Sequence, residues 1–253
     1  AYAGQTILEE VVLGLARRAK ERTGKRHLCL AGGVALNCSA NAKLLVSGIF
    51  EDVYVFPAAD DSGQAIGKLF HYIHANNLGV DTAVGSPFLG PDYSETEIET
   101  VINSEVRVAM IANDLSETTR QAAELLAAGK VIAWVQGRSE IGPRALGHRS
   151  ILADPRRREM RDYINARVKH REWYRPVAPA VLEEAAGGYF QVDRPSPFML
   201  FAVQVRPEKA NLIPAVVHID GSARLQTVNA RTDPRFHRLI EEFAGITGVP
   251  VVV

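Results

Sequence analysis

The residues best equipped for chemistry lie between Gln136 and Ser150, a loop with three glycines, Pro143, three arginines (Arg138, Arg144, Arg149) and a single acid, Glu140. A guanidinium offers a planar fork of donors that matches phosphate and carboxylate oxygens, and glycine lets the backbone come close to a ligand. That composition suits an anion cradle better than a core. Arg224 alternates with apolar neighbours, so it either points into a cleft or is an edge-strand cation. Gly32-Gly33 precedes a helix whose free N–H groups would favour an anion, although a plain strand-to-helix turn uses the same residues. Asp60-Asp61 is either a carboxylate pair at a helix N-terminus or a set of hard oxygen donors for a divalent cation. His71 and His74 share one helical face without a third ligand nearby and read as solvent-exposed, and Arg156-Arg157-Arg158 reads as a solvated face.

Regular elements must hold these groups in place. The chain opens directly on an amphipathic helix with apolar positions at Ile7, Leu8, Val11, Val12, Leu15 and Ala19, stopped by Thr23-Gly24. A strand at 27–31, the Gly-Gly loop, a helix at 38–46, a strand at 52–56, the Asp-Asp loop and a helix at 64–75 follow, which is an α/β alternation. Both unusual loops fall after strands, where ligands bind in open α/β sheets. Residues 76–105 gather turn formers, and Ser94 to Glu97 reads as a capping box. Beyond them, a helix at 115–128, a strand at 130–135, a helix at 156–168, strands at 198–205, 216–220 and 223–228, a helix at 234–246 and a terminal strand give an α+β pattern.

The chain has 253 residues, 47% of them hydrophobic, with 29 Lys+Arg balancing 29 Asp+Glu. Its mean hydropathy of −0.04 excludes a disordered chain, and no apolar run reaches the roughly 20 residues that span a bilayer. Two cysteines exclude a disulfide framework and favour a reducing, cytoplasmic setting. The zero net charge conceals an asymmetry. Residues 1–105 carry −5 and residues 106–253 carry +5, and 18 of the 21 cations in the second part are arginines. Such enrichment points to oxyanion recognition. The opening at Ala1 and the apolar close at Val253 lead to the expectation of a fragment cut at both ends.

Seven stretches together resemble a known family: LCLAGGVALNCSAN, VYVFPAADDSGQAIG, FLGPDYSETEIE, GRSEIGPRALGHRSILADP, REWYRPVAPAV, SPFMLF and HIDGSARLQTV. They look like the O-carbamoyltransferases of the NodU/NolO and antibiotic-tailoring type, over about Leu8 to Val253. The resemblance implies that residues 1–90 are the C-terminal part of an actin-like (ASKHA) ATPase-fold domain. Residues 91–105 would be a linker, and 106–253 a YrdC-like α/β domain truncated at its end.

The resemblance further implies a chemistry. Carbamoyl phosphate would release phosphate, the carbamoyl group would join AMP from ATP, and a hydroxyl of a small molecule or glycolipid would then take it. Arg144, Lys169, Arg175 and Arg224 would be the catalytic cations, Gly32, Gly33, Asn37, Arg138 and Ser222 would contact the nucleotide, and Asp61 would ligate iron or magnesium. Asp60 stands where relatives usually carry a small residue, which leaves open which acid binds metal. Taken alone, the chain is expected not to complete transfer. A threonylcarbamoyl-type RNA-modifying enzyme and a non-catalytic anion-binding module are the alternatives. Cations placed in Gly/Pro loops rather than along a basic stripe, and a pI near 7.3, argue against a nucleic-acid partner.

Overall fold

The computed structural model describes residues 2–81, 85–104 and 114–253. Their architecture mixes helices with short strands in several small sheets. The first part contains α1 (Tyr2–Thr23), β1 (His27–Leu30), a 3₁₀ turn (Gly33–Leu36), α2 (Cys38–Val46), β2 (Asp52–Val55), a second 3₁₀ turn (Asp61–Gly63) and α3 (Gln64–Ala75). Strands β1 and β2 pair in parallel, His27 opposite Asp52. Asn37 caps α2, its side-chain oxygen accepting from Ala40 N–H at 3.0 Å, because the first turn of a helix leaves N–H groups unpaired.

Helix α1 presents a different face from the one its apolar spacing suggests. Ile7, Val11 and Leu15 are exposed, while Val12, Leu13, Ala16 and Ala19 pack with Leu44, Phe50, Val53 and Val55. The rotation follows from Glu9, which is buried by an ion pair with Lys43 and a hydrogen bond from Gln5. Gln5 in turn exchanges hydrogen bonds with Asn37. Polar pairing at the α1–α2 contact thus fixes the face.

Helix α4 (Glu95–Ser104) opens on the expected capping box: Ser94 N–H donates to Glu97 at 2.8 Å, and Glu97 N–H donates back to Ser94 Oγ at 3.3 Å. The expected start of a second unit at residue 106 lies outside the described residues. Next come α5 (Leu115–Ala127), β3 (Ile132–Val135), β4 (Arg149–Leu152), α6 (Glu159–Tyr163), β5 (Ala180–Leu182) and α7 (Ala186–Tyr189). They are followed by β6 (Ala202–Gln204), α8 (Pro207–Ala210), β7 (Ser222–Arg224), β8 (Gln226–Val228), α9 (Pro234–Thr247) and β9 (Val251–Val252). Antiparallel pairs β3–β4 and β6–β7 flank a three-stranded sheet ordered β8-β5-β9.

Two expected elements change. The stretch 216–220 is a turn rather than a strand: His218 N–H donates to Ser222 C=O at 2.8 Å and Gly221, at φ 78°, closes it. Asp-Gly chemistry overrides the apolar pattern there. The single strand expected over 223–228 breaks at buried Leu225, so that β7 joins β6 while β8 joins β5. Arg224 and Gln226 therefore flank a corner between two sheets.

Helix α9 is legible from its ends. Asp233 accepts from Phe236 N–H, Pro234 opens it, and Gly248 closes it at φ 74°. Its apolar face, Phe236, Leu239, Ile240 and Phe243, packs on α5 and on Trp134. A second cluster centres on Phe190, Ile213, Leu225 and Val251. The two parts of the chain also meet directly. Leu200 enters the core of the first part, and the buried Asn41 amide donates to Leu200 C=O at 3.0 Å.

Candidate functional site

Arg144, Lys169 and Arg224, drawn from three separate stretches, line one cavity of about 220 Å³ together with Arg171. Among the described residues no Asp or Glu side chain lines it. The Nε atoms of Arg144 and Arg224 are buried without a hydrogen-bond partner among the described residues. Burial first, then repulsion from Arg144 and Arg171, pushes the Arg224 guanidinium down to about 10. Burial, then Arg171 and Arg224, lowers the Lys169 ammonium in the same sense. Burial also lowers Arg171, reinforced by Arg175 and opposed by Glu172. Buried charges are normally paired, because desolvation costs several kcal/mol per ion. A cluster of partly buried, mutually repelling cations is therefore suited to an anion with more than one charge.

Each cation is held by a different device. Arg144 rides on the loop after β3, where Glu140 Oε1 accepts from the N–H groups of Leu146, His148 and Arg149 at 2.7, 3.0 and 3.1 Å. Gly142, at φ 90°, lies against Pro57 of the first part, and a Cβ there would come within 2.5 Å of the Pro57 oxygen. Arg144 Nη2 reaches to 3.5 Å from Leu36 C=O, so the cavity abuts the loop that follows β1. Lys169 and Arg171 follow a single π-helical turn, Ile164–Val168, after which His170 adopts φ 45°. Asn165, fully buried in that turn, donates to Trp173 C=O and Arg175 C=O and accepts from Arg171 Nε at 2.7 Å. Wide turns of this kind often mark functional sites.

The other expected residues sit elsewhere. Arg175 lies outside the cavity lining, its Nε paired with Glu172 at 2.7 Å. Arg138 donates to Gly90 C=O and Leu89 C=O, tying the cradle loop to the connecting segment. Ser222 is buried beside Arg224 on β7 and donates to Asp220 Oδ1 at 2.7 Å. Gly32 takes φ 93°, a conformation suited to glycine, and lines a mainly apolar cleft of about 560 Å³ with Tyr54, Phe56, Asp60 and Asp61. Gly33 starts the adjoining 3₁₀ turn, and the Asn37 side chain is engaged as the α2 cap.

Asp61 accepts from Gln64 at 2.7 Å, and Asp60 accepts from Ser62. Among the described residues no group of three or more His, Cys, Asp or Glu could hold a metal ion. His71 and His74 are exposed on α3. Two adjacent carboxylates alone do not fit a divalent cation, which takes about six oxygen ligands. Arg171 and Asn165 escape sequence reasoning, and Glu140 is visible there only as the single acid of its loop. Arg171 lies among several basic neighbours, and nothing in the sequence marks Asn165 as the residue that orients it.

Arg171 and Arg175 can be told apart by titration with inorganic phosphate. Arg171→Ala is expected to weaken binding by roughly ten-fold or more, and Arg175→Ala by no more than about three-fold, as for an exposed ion-paired cation. Equal losses would place Arg175 in the cavity.

Comparison with known proteins gives consistent likenesses. A family model described as the carbamoyltransferase C-terminus matches residues 123–253, and one described as the carbamoyltransferase N-terminus matches residues 2–69. Nodulation protein NolO of Bradyrhizobium diazoefficiens is 44% identical over 264 residues, covering 98% of this chain and 46% of that protein. An uncharacterised protein of Synechocystis sp. is 41% identical over 276 residues, covering 98% of this chain and 45% of its own. Nodulation protein U of B. diazoefficiens is 38% identical over 251 residues, covering 99% of this chain and 42% of that protein. The chain thus spans less than half the length of these relatives. Among the described residues no helix is long and apolar enough to cross a membrane.

Proposed function

The chain belongs to the carbamoyltransferase family, and from that premise we propose that its cationic cavity binds carbamoyl phosphate and serves ATP-dependent transfer of the carbamoyl group to a hydroxyl. One observation carries this reading. Four cations converge on a small cavity that, among the described residues, has no lining carboxylate and leaves two of their nitrogens buried with no partner. A phosphate group fits that surplus. Its oxygens would accept from Arg144, Arg171, Arg224 and Lys169, and the same donors would stabilise the charge that builds as the phosphate leaves. Carbamoyl phosphate, water and ATP would give carbamoyl-adenylate, phosphate and pyrophosphate, and an acceptor hydroxyl would then displace AMP.

The two parts take different roles in this reading. Residues 106–253 would be the YrdC-like unit that handles carbamoyl phosphate, and residues 1–90 the actin-like part that receives the adenylate near Gly32, Gly33 and Asn37. Arg175, Arg138 and Ser222 would act from the rim, through the cradle loop and through β7. Asp61 would contribute one ligand to a metal whose remaining donors are not among the described residues. The acceptor in this reading is a hydroxyl of a small molecule or glycolipid.

Calorimetric titration of carbamoyl phosphate into the chain tests the donor site. Saturable one-to-one binding that Arg144→Ala weakens by at least about ten-fold is expected, given the roughly 2–5 kcal/mol attached to a desolvated charge partner. Absence of binding to the unaltered chain would overturn the proposal.

A further inference from the structure

The cations that line the cavity are donors only, and donors alone recognise half of a carbamoyl group. Arg and Lys have no acceptor atom, so they hold phosphate and carbonyl oxygens but offer nothing to an –NH₂ group. Carbamoyl phosphate and acetyl phosphate differ at that position, NH₂ against CH₃. Telling them apart takes an acceptor in the cavity wall that the methyl analogue would leave unpaired.

Gln226 supplies one. It lines the cavity together with Arg144, Lys169, Arg171 and Arg224. Its Nε2 donates to Leu146 C=O at 2.7 Å. A carbonyl can only accept, so this contact fixes which end of the amide is nitrogen and leaves Oε1 as the free end. The buried side-chain atoms left without a partner among the described residues are Arg144 Nε, His218 Nε2, Arg224 Nε and Asp233 Oδ2. Gln226 Oε1 accepts from none of the described residues and yet is not one of these atoms, so it is unpaired and accessible. Gln226 as a whole is only 4% exposed, and the cavity it lines is where that accessible surface lies. The other side-chain oxygen in the wall, Ser150 Oγ, already accepts from Gly147 N–H at 2.9 Å. Among the described lining residues, Gln226 Oε1 is thus the uncommitted side-chain oxygen. Arg224 and Gln226 lie two residues apart at the corner between β7 and β8, and in a cavity of about 220 Å³ one small molecule can touch both.

We propose that Gln226 Oε1 accepts a hydrogen bond from the carbamoyl –NH₂ and selects carbamoyl phosphate over acyl phosphates. The inference rests on the donor-site reading above. Gln226 binds and discriminates, its amide oriented by the Leu146 carbonyl, and it takes no part in breaking bonds.

Calorimetry with carbamoyl phosphate, acetyl phosphate and inorganic phosphate on three proteins tests this. The unaltered chain is expected to prefer carbamoyl over acetyl phosphate by at least about ten-fold, the penalty for an acceptor shut off from water without a partner. Gln226→Met keeps the side-chain length and removes the acceptor, so the preference should fall to about two-fold or less. The same change frees Leu146, and the ratio between the two acyl ligands cancels any loss of affinity that they share. Gln226→Glu keeps an acceptor at the same position, so its preference should stay at or above that of the unaltered chain even though its charge weakens phosphate binding. A glutamine that merely holds Leu146 would give the opposite pattern in Gln226→Met, weaker binding of every ligand with the preference intact. That result, in a variant with native circular dichroism, overturns the assignment, and so does loss of the preference in Gln226→Glu. An unaltered chain that binds carbamoyl and acetyl phosphate equally overturns it without any variant. If none of the three ligands binds the unaltered chain, the donor-site reading itself falls, and this inference with it.

Discussion

Arg224→Met is expected to make the folded chain more stable by about 1–3 kcal/mol while weakening phosphate binding by about 100-fold or more. Arg224 is desolvated, its Nε lacks a partner, and Arg144 and Arg171 repel it. Methionine fills a similar length without charge. Removing a buried ion whose charge is not balanced gains more from lost desolvation than it forfeits in packing. The sign with pH follows from the same burial. Since the guanidinium is pushed down to about 10, the unfolded chain binds its proton more tightly than the folded one. The penalty is present at all pH below that value and is relieved as pH rises through it. The stability gap between variant and parent should therefore be constant through neutral pH and narrow above pH 10. Phosphate at about 100 times the parent's dissociation constant should add about 2.7 kcal/mol to the parent and about 0.4 kcal/mol or less to the variant. Denaturant unfolding with and without phosphate measures all three effects. A variant less stable than the parent in phosphate-free buffer would show that Arg224 is held by interactions other than a bound anion.

The same cluster shows which parts of the site a sequence can disclose. Arg144 and Arg224 sit in stretches whose composition or alternation is unusual, and family likeness groups them with Lys169. Arg171 is invisible by either route, because its direction comes from a π-helical turn and from buried Asn165, neither of which has a compositional signature. Glu140 was legible as the single acid of a basic loop, yet its task of gathering three N–H groups depends on how the loop closes. The capping box at Ser94 matches expectation, and the helix expected over 234–246 runs over Pro234–Thr247, its ends set locally by Asp233 and Gly248. The face of α1 does not, since a buried Glu9–Lys43 pair outweighs an apolar stripe. Local rules hold where the neighbours are close in sequence, and they give way where a distant partner decides burial.

Gly147→Ala is expected to destabilise the fold by about 2–5 kcal/mol, combining a left-handed backbone cost of about 1–2 kcal/mol with overpacking of about 1–3 kcal/mol. Gly147 takes φ 109°, and an added Cβ would lie 2.4 Å from Cδ1 of the Phe236 ring. That ring cannot retreat, being 1% exposed and wedged at the start of α9. The backbone must therefore move, and it carries the site with it. Leu146 C=O, one residue earlier, accepts from the buried Gln226 amide at 2.7 Å, and Gln226 lines the cavity two residues beyond Arg224. Displacing this segment pulls Arg144 away from Arg224, so phosphate affinity should fall together with the melting temperature, which drops by about 2–4 °C per kcal/mol in a chain of this size. Gly245→Ala is the internal control. It lies exposed in α9 with no atom within 4 Å of the added Cβ, and should gain about 0.5–1 kcal/mol from helix propensity with binding unchanged. If Gly147→Ala melted with the parent, the Leu146–Gln226 contact would not be the joint that couples the cradle loop to β8 and α9.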